Sequence, residues 1–139
     1  MFMLSLPPSG PTLTPGKVRC VGRNYAEHAR ERGYAPDPPA EPVVFLKPST
    51  ALGASGGTVC IPPQSDEVHH EVELVAVIGQ GGKNIPEEKA RGHVGAYALG
   101  LDRTARDLQR LAKAANKPWA VAKGFDTFAP LGPLTAASE

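Results

Sequence analysis

The sequence predicts a β-rich α+β fold, and three observations carry that expectation. Short apolar runs rich in β-branched residues recur along the chain. Glycine and proline are both abundant, at 15 each, and are spread through the sequence, as many turns between short strands require. The few helix-forming stretches do not alternate strictly with the strands, which argues against a doubly wound parallel sheet.

Bulk properties narrow the function classes. A chain of 139 residues can build one domain with a real core, but not two comfortable ones. A net charge of +1 gives no reason to expect nucleic acid or an anionic membrane as a partner, and no basic patch or stacking motif points to nucleic acid. No apolar run approaches the ~20 residues of a membrane helix. Residues 1–16 read as an apolar, proline-rich lead without the marks of a signal peptide, so the cytoplasm is the expected compartment. Cys20 and Cys60 match no zinc or redox spacing and read as buried free thiols.

Lys17 to Gly22 alternates apolar and polar residues and is expected as a strand. Asn24 is placed to cap a helix over Tyr25 to Gly33, where His28 and Glu31, three apart, share a face. A histidine oriented by a carboxylate is the pairing a general base needs, although the same stretch also reads as an ordinary solvated helix surface. Tyr34 to Pro42 is a proline-rich loop, and Val43 to Leu46 a short strand ending in Lys47-Pro48. Ser49 to Gly57 has the composition of a phosphate loop but lacks its Gly-Lys-Ser/Thr ending, so nucleotide binding is not expected. Thr58 to Ile61 is expected as another strand.

Val72 to Ile78 reads as a buried central strand, entered through His70-Glu71-Val72-Glu73. Residues two apart on a strand share a face, so Glu71 and Glu73 would repel one another in a core unless a cation lay between them. Either a divalent metal sits there or the strand opens in solvent. Pro86 to Ala90 starts a short helix, and Val94 to Leu101 is a glycine-thinned strand that delivers Asp102 at its end. Thr104 to Ala112 has helical composition, with Arg106 and Gln109 on one face. Trp119 to Ala122 reads as a strand leading to Lys123, and Gly124 to Pro133 as a loop.

Taken together, Val21-Gly22-Arg23-Asn24-Tyr25 with His28 and Glu31, Phe45-Leu46-Lys47-Pro48, His70-Glu71-Val72-Glu73-Leu74, Asp102 to Gln109, and Trp119 through Lys123 to Pro133 closely resemble the fumarylacetoacetate hydrolase family, nearest its single-domain acylpyruvase and oxaloacetate decarboxylase branch. The resemblance implies a β-roll of mixed sheets and short helices, with residues 17–139 as the N-terminal portion of the catalytic domain. Family members continue past the position of Glu139, so an incomplete roll is expected. Glu71, Glu73 and Asp102 would be the ligands of Mg²⁺ or Mn²⁺, a hard cation suited to three carboxylates. His70 would stand behind them or pack. Lys123, with the metal, would stabilise the enolate left when a small 2-oxo acid is cleaved or decarboxylated; Arg23, Arg106 and Gln109 would contact substrate, and His28 with Glu31 would activate water. The implied assembly is a homodimer. A tautomerase or isomerase using the same enolate, and a non-catalytic remnant, are the competing readings.

Overall fold

The computed structural model describes residues 2–25 and 41–138. The helix expected over Tyr25 to Gly33, with His28 and Glu31, lies outside the described residues apart from Tyr25, as does the proline-rich loop before Glu41.

Strands β1 (Leu4–Ser5) and β2 (Thr12–Leu13) form an antiparallel hairpin, and β3 (Val18–Gly22) pairs antiparallel with β4 (Val43–Lys47), Val18 facing Lys47 and Gly22 facing Val43. A 3-10 turn at Ser49–Ala51 leads into β5 (Leu52–Ala54). Next come β6 (Val68–His69), β7 (Val72–Ile78), helix α1 (Glu87–Ala90) and the long strand β8 (Val94–Leu101). They are followed by β9 (Thr104–Ala105), helices α2 (Arg106–Ala114) and α3 (Ala120–Lys123), and the short strands β10 (Ala129–Leu131) and β11 (Thr135–Ala136).

Strand β8 is the spine. It takes β7 antiparallel along one edge, from Val72 opposite Leu101 to Ile78 opposite Val94, and β10 and β11 antiparallel along the other. Parallel pairing of β10 with β5 completes a mixed five-stranded sheet. One apolar cluster joins Leu6 of the N-terminal hairpin to Val77 and Ala96; a second packs Ala105 and Ala122 around Phe128, which is fully buried. No helix among the described residues is long and apolar enough to cross a membrane.

Several expectations need correction. Strand β7 is not buried on both faces: Val75 and Val77 turn inward, whereas Leu74 is 64% exposed and Val72 and Ile78 are similarly open. Thr58 to Ile61 pairs with no strand; the Cys60 amide instead donates to Thr127 Oγ1 at 2.9 Å, and Cys60 is exposed rather than buried. The glycine-rich segment Ser49–Gly57 and the expected loop Gly124–Pro133 contain β5 and β10, which pair with each other across the sequence. Thr104 belongs to β9, and the helix starts at Arg106. Trp119–Ala122 is not a strand: Trp119 precedes helix α3, and Ala122 within it packs into the Phe128 cluster.

Glycines set one close approach. The β7–β8 register slips between Val77 and Ile78, leaving Gly95 without a partner, and there the two backbones touch. A Cβ at Gly95 would lie 3.1 Å from the Gly79 Cα and 2.9 Å from Leu6 Cδ1. Gly95→Ala is therefore expected to destabilise the chain by about 1–3 kcal/mol. Gly81→Ala, where nothing lies within 4 Å, should change stability by no more than about 0.5 kcal/mol. Urea denaturation of both variants checks the contrast.

Candidate metal and substrate site

The antiparallel register of β7 on β8 builds the site. Val72 opposite Leu101 is the last ladder pair, and the next hydrogen bond, from the Asp102 amide to the Glu71 carbonyl at 2.8 Å, sets Asp102 beside Glu71. The same two segments then pair again as β6 and β9, and the Arg106 amide donates to the Glu67 carbonyl at 2.7 Å, so α2 begins directly over the carboxylates. Glu73, two residues along β7, shares the inward side with Glu71.

Three cations converge on these acids. Lys123, the last residue of α3 and 2% exposed, donates Nζ–H to Glu71 Oε2 at 2.8 Å and to Asp102 Oδ2. Its ammonium also lies 4.9 Å from the centre of the Phe45 ring, a favourable cation–π position. Arg106, buried, donates Nη2–H to Glu71 Oε1 and Nη1–H to Gln109 Oε1 at 2.7 Å. Lys47, also buried, places Nζ 2.8 Å from Asp102 Oδ1. Its hydrogen bonds go elsewhere: to the carbonyls of Arg103 (3.0 Å), Lys123 (2.5 Å) and Phe128 (3.0 Å). An ammonium has three donors. With three carbonyls around its ammonium, Lys47 offers Asp102 its charge, and Asp102 Oδ1 stands buried without a hydrogen bond from a described residue.

The acids respond in opposite ways. Burial alone would raise the pKa of Glu71, but the hydrogen bonds from Arg106 and Lys123 outweigh it and hold the carboxyl down at about 2. Glu73 receives no hydrogen bond from a described residue. Burial, and the charges of Asp102 and Glu71 nearby, push its pKa up. Lys47 is pushed down by burial against the pull of Asp102.

Among the described residues no three His, Cys, Asp or Glu side chains are drawn together into a ready-made metal site; the ammonium and guanidinium groups hold the carboxylates. The donor set nevertheless fits a hard divalent cation. It is all oxygen, and two of its members, Glu73 and Asp102 Oδ1, take no hydrogen bond from a described residue.

Of the residues expected from sequence, the structure thus gathers Glu71, Asp102, Arg106, Gln109 and Lys123, with Glu73 at the margin. Arg23 sits exposed just after β3 with a left-handed backbone, φ 58°. His70 is exposed, so it does not pack in the core. His28 and Glu31 lie outside the described residues. Three participants were not foreseen. Lys47 shares the inward face of β4 with Phe45, and a lysine at an inward position of an apolar strand was the available signal. Thr104, fully buried, donates its hydroxyl to Glu71 Oε2 at 3.4 Å, with Asp102 O at 3.3 Å. Cys20, opposite Phe45, has its thiol pKa raised to about 11 by burial and by the charge of Asp102.

Residues 17–139 match the family described as fumarylacetoacetate hydrolase, C-terminal. The chain belongs to the fumarylacetoacetate hydrolase family. It is 55% identical over 115 residues to the mitochondrial oxaloacetate tautomerase FAHD1 of Arabidopsis thaliana, covering 83% of this chain and 51% of that protein. To the mitochondrial oxaloacetate decarboxylase of Dictyostelium discoideum it is 48% identical over 119 residues, covering 85% and 54%. The crystal structure of fumarylpyruvate hydrolase from Pseudomonas aeruginosa, in complex with Mn²⁺ and pyruvate, superposes with a TM-score of 0.87 at 46% identity, over 99% of this chain and 60% of that one. This family member therefore spans about half the length of the curated relatives it matches, and its β-rich architecture is that of the family fold over the shared part.

The opposed behaviour of the two glutamates can be tested. Because the folded-state pKa of Glu71 lies below its ordinary 4.5, its ion pairs stabilise the chain above that pH and are lost as the pH falls toward 2. Glu73 has the opposite sign: its raised pKa means that protonation relieves repulsion. At neutral pH Glu71→Gln, which leaves buried Arg106 without its carboxylate and Lys123 with Asp102 alone, should cost about 3 kcal/mol, whereas Glu73→Gln should be neutral or stabilising. Denaturant melts of the two variants against the parent at neutral and acid pH will show whether the Glu71 cost shrinks on acidification as expected.

Proposed function

We propose that this chain carries the charge-stabilising machinery of a divalent-metal-dependent enzyme that acts on small 2-oxo acids through an enolate. The observation that carries the reading is the buried Lys123 ammonium shared between Glu71 and Asp102. Glu71, Glu73 and Asp102 would hold Mg²⁺ or Mn²⁺, which when bound supplies Lewis-acid stabilisation of negative charge on a 2-oxo oxygen. The family relative solved with Mn²⁺ and pyruvate supports this choice of ion and of substrate class.

The chain's own residues supply the rest. Lys123 is a fixed positive charge in a site shielded from water, where it opposes the charge that builds on the substrate oxygen far more strongly than it would in solvent. Arg106 has a buried Nε–H with no acceptor among the described residues, and Gln109 is bound to the same guanidinium; a substrate carboxylate reaching this pair would satisfy that donor and fix its own orientation. Arg23 is assigned a further substrate contact. His28, oriented by Glu31, is assigned the proton transfer that hydrolysis of an acylpyruvate needs, taking the proton of the attacking water. Decarboxylation of oxaloacetate needs no such base, because the C4 carboxylate leaves as carbon dioxide. The proposed assembly is a homodimer.

Tautomerisation of oxaloacetate is the second reading, favoured by the relatives of that name, and needs only a proton moved between C3 and the 2-oxo oxygen. Oxalate, a planar dianion that mimics pyruvate enolate, separates the general reading from failure. In calorimetric titrations it is expected to bind only with Mg²⁺ present, and not to Glu73→Ala; absence of binding with Mg²⁺ would sink the proposal. On oxaloacetate, enol absorbance followed beside pyruvate release tells tautomerisation from decarboxylation. Lys123→Ala should lower kcat for whichever occurs by about 10²–10³-fold.

A further inference from the structure

We infer that Lys47 is the positioning residue of this site, the clamp that sets Asp102 and Lys123 relative to one another. The inference rests on the proposed function for the roles of those two residues. It rests on geometry for everything else.

Lys47 ends β4 on the same face as Phe45 and is 2% exposed. A lysine this buried is costly unless each of its donors is used. Its three acceptors come from three separate segments. Arg103 O follows Asp102 directly, Lys123 O closes α3, and Phe128 O precedes β10. One ammonium therefore ties down the backbone on either side of the cluster. The carbonyl of Lys123 is held by Lys47, while the side chain of Lys123 runs past the Phe45 ring to Asp102 and Glu71. Strand β4 thus supports Lys123 twice: through Lys47 at the backbone and through Phe45 at the ammonium.

The second consequence concerns Asp102. The Lys47 charge sits 2.8 Å from Oδ1, which takes no hydrogen bond from a described residue. The carboxylate is balanced electrically while one oxygen is left available to a cation. A guanidinium at position 47 would keep the charge but could not converge three donors from a single atom on three carbonyls. Charge alone would act the other way: removing a nearby cation should strengthen metal binding, whereas loss of positioning should weaken it.

Lys47→Arg and Lys47→Met in the full chain test the clamp. The first readout needs no metal: the ammonium ¹H–¹⁵N resonance of Lys123, identified by its absence in Lys123→Met. The clamp predicts that both Lys47 variants, folded by circular dichroism, shift or broaden that resonance, and that Mn²⁺ affinity falls about tenfold or more. A Lys123 resonance unchanged in Lys47→Arg overturns the proposal, as does Mn²⁺ affinity that is unchanged or increased in a folded variant whose parent binds Mn²⁺. If Lys47→Met does not fold, Lys47→Arg alone decides. If the parent binds no Mn²⁺, the metal reading fails and the ammonium resonance still decides whether Lys47 positions Lys123.

Discussion

The hydrogen bond from the Asp102 amide to the Glu71 carbonyl is the constraint on which the site depends. It extends the β7–β8 ladder by one step beyond its last pair, and it fixes two acidic residues, 31 positions apart in sequence, as neighbours. A slip of one residue in that register would turn Glu71 and Glu73 to the open face of the sheet and bring Val72 and Leu74 inward. The bulge at Gly95 and the backbone contact with Gly79 lie at the far end of the same ladder, so the strand pair is anchored at one end by close packing and at the other by charge.

Glu71 and Asp102 face Lys47, Lys123 and Arg106, with Glu73 at the margin. A cluster of this kind contributes little net stability over an apolar core of the same shape, because desolvation offsets most of the Coulomb gain. Its value lies in preorganisation. Lys123 and Arg106 are already stripped of water and held by the acids and, for Lys123, by an aromatic ring, so little reorganisation remains when a negatively charged group approaches.

Much of this was legible in the sequence. Alternation marked β3, short β-branched apolar runs marked β4 and β7, and a glycine-thinned apolar run marked β8; the spacing of Glu71 and Glu73 left a metal or solvent open, and the family resemblance added Asp102. What was not legible depended on partners far away in the chain. β5 and β10 are three residues each, rich in small residues and proline, and they are strands only because they lie against one another. Trp119 to Ala122 has no decisive local preference; burying Ala122 beside Phe128 chose the helix. Lys47 was visible as part of a motif, but its function is made by three backbone carbonyls, and carbonyls leave no trace in side-chain identity. The open outer face of β7 was also beyond reach, since a run such as Leu74-Val75-Ala76-Val77 reads the same whether one face or two are covered.

The topology carries a consequence for how the chain assembles. β7 and β8 are joined by residues 79–93, whereas the parallel pair β5 and β10 encloses residues 55–128, a loop about five times longer. Closing the longer loop costs about 1–2 kcal/mol more in chain entropy, so the acid-bearing hairpin is the natural early structure and the β5–β10 seam a late one. Lys123 and its carbonyl lie just upstream of β10. The acids and Arg106 are thus brought together early, in water, and Lys123 reaches them as the seam closes and the water leaves.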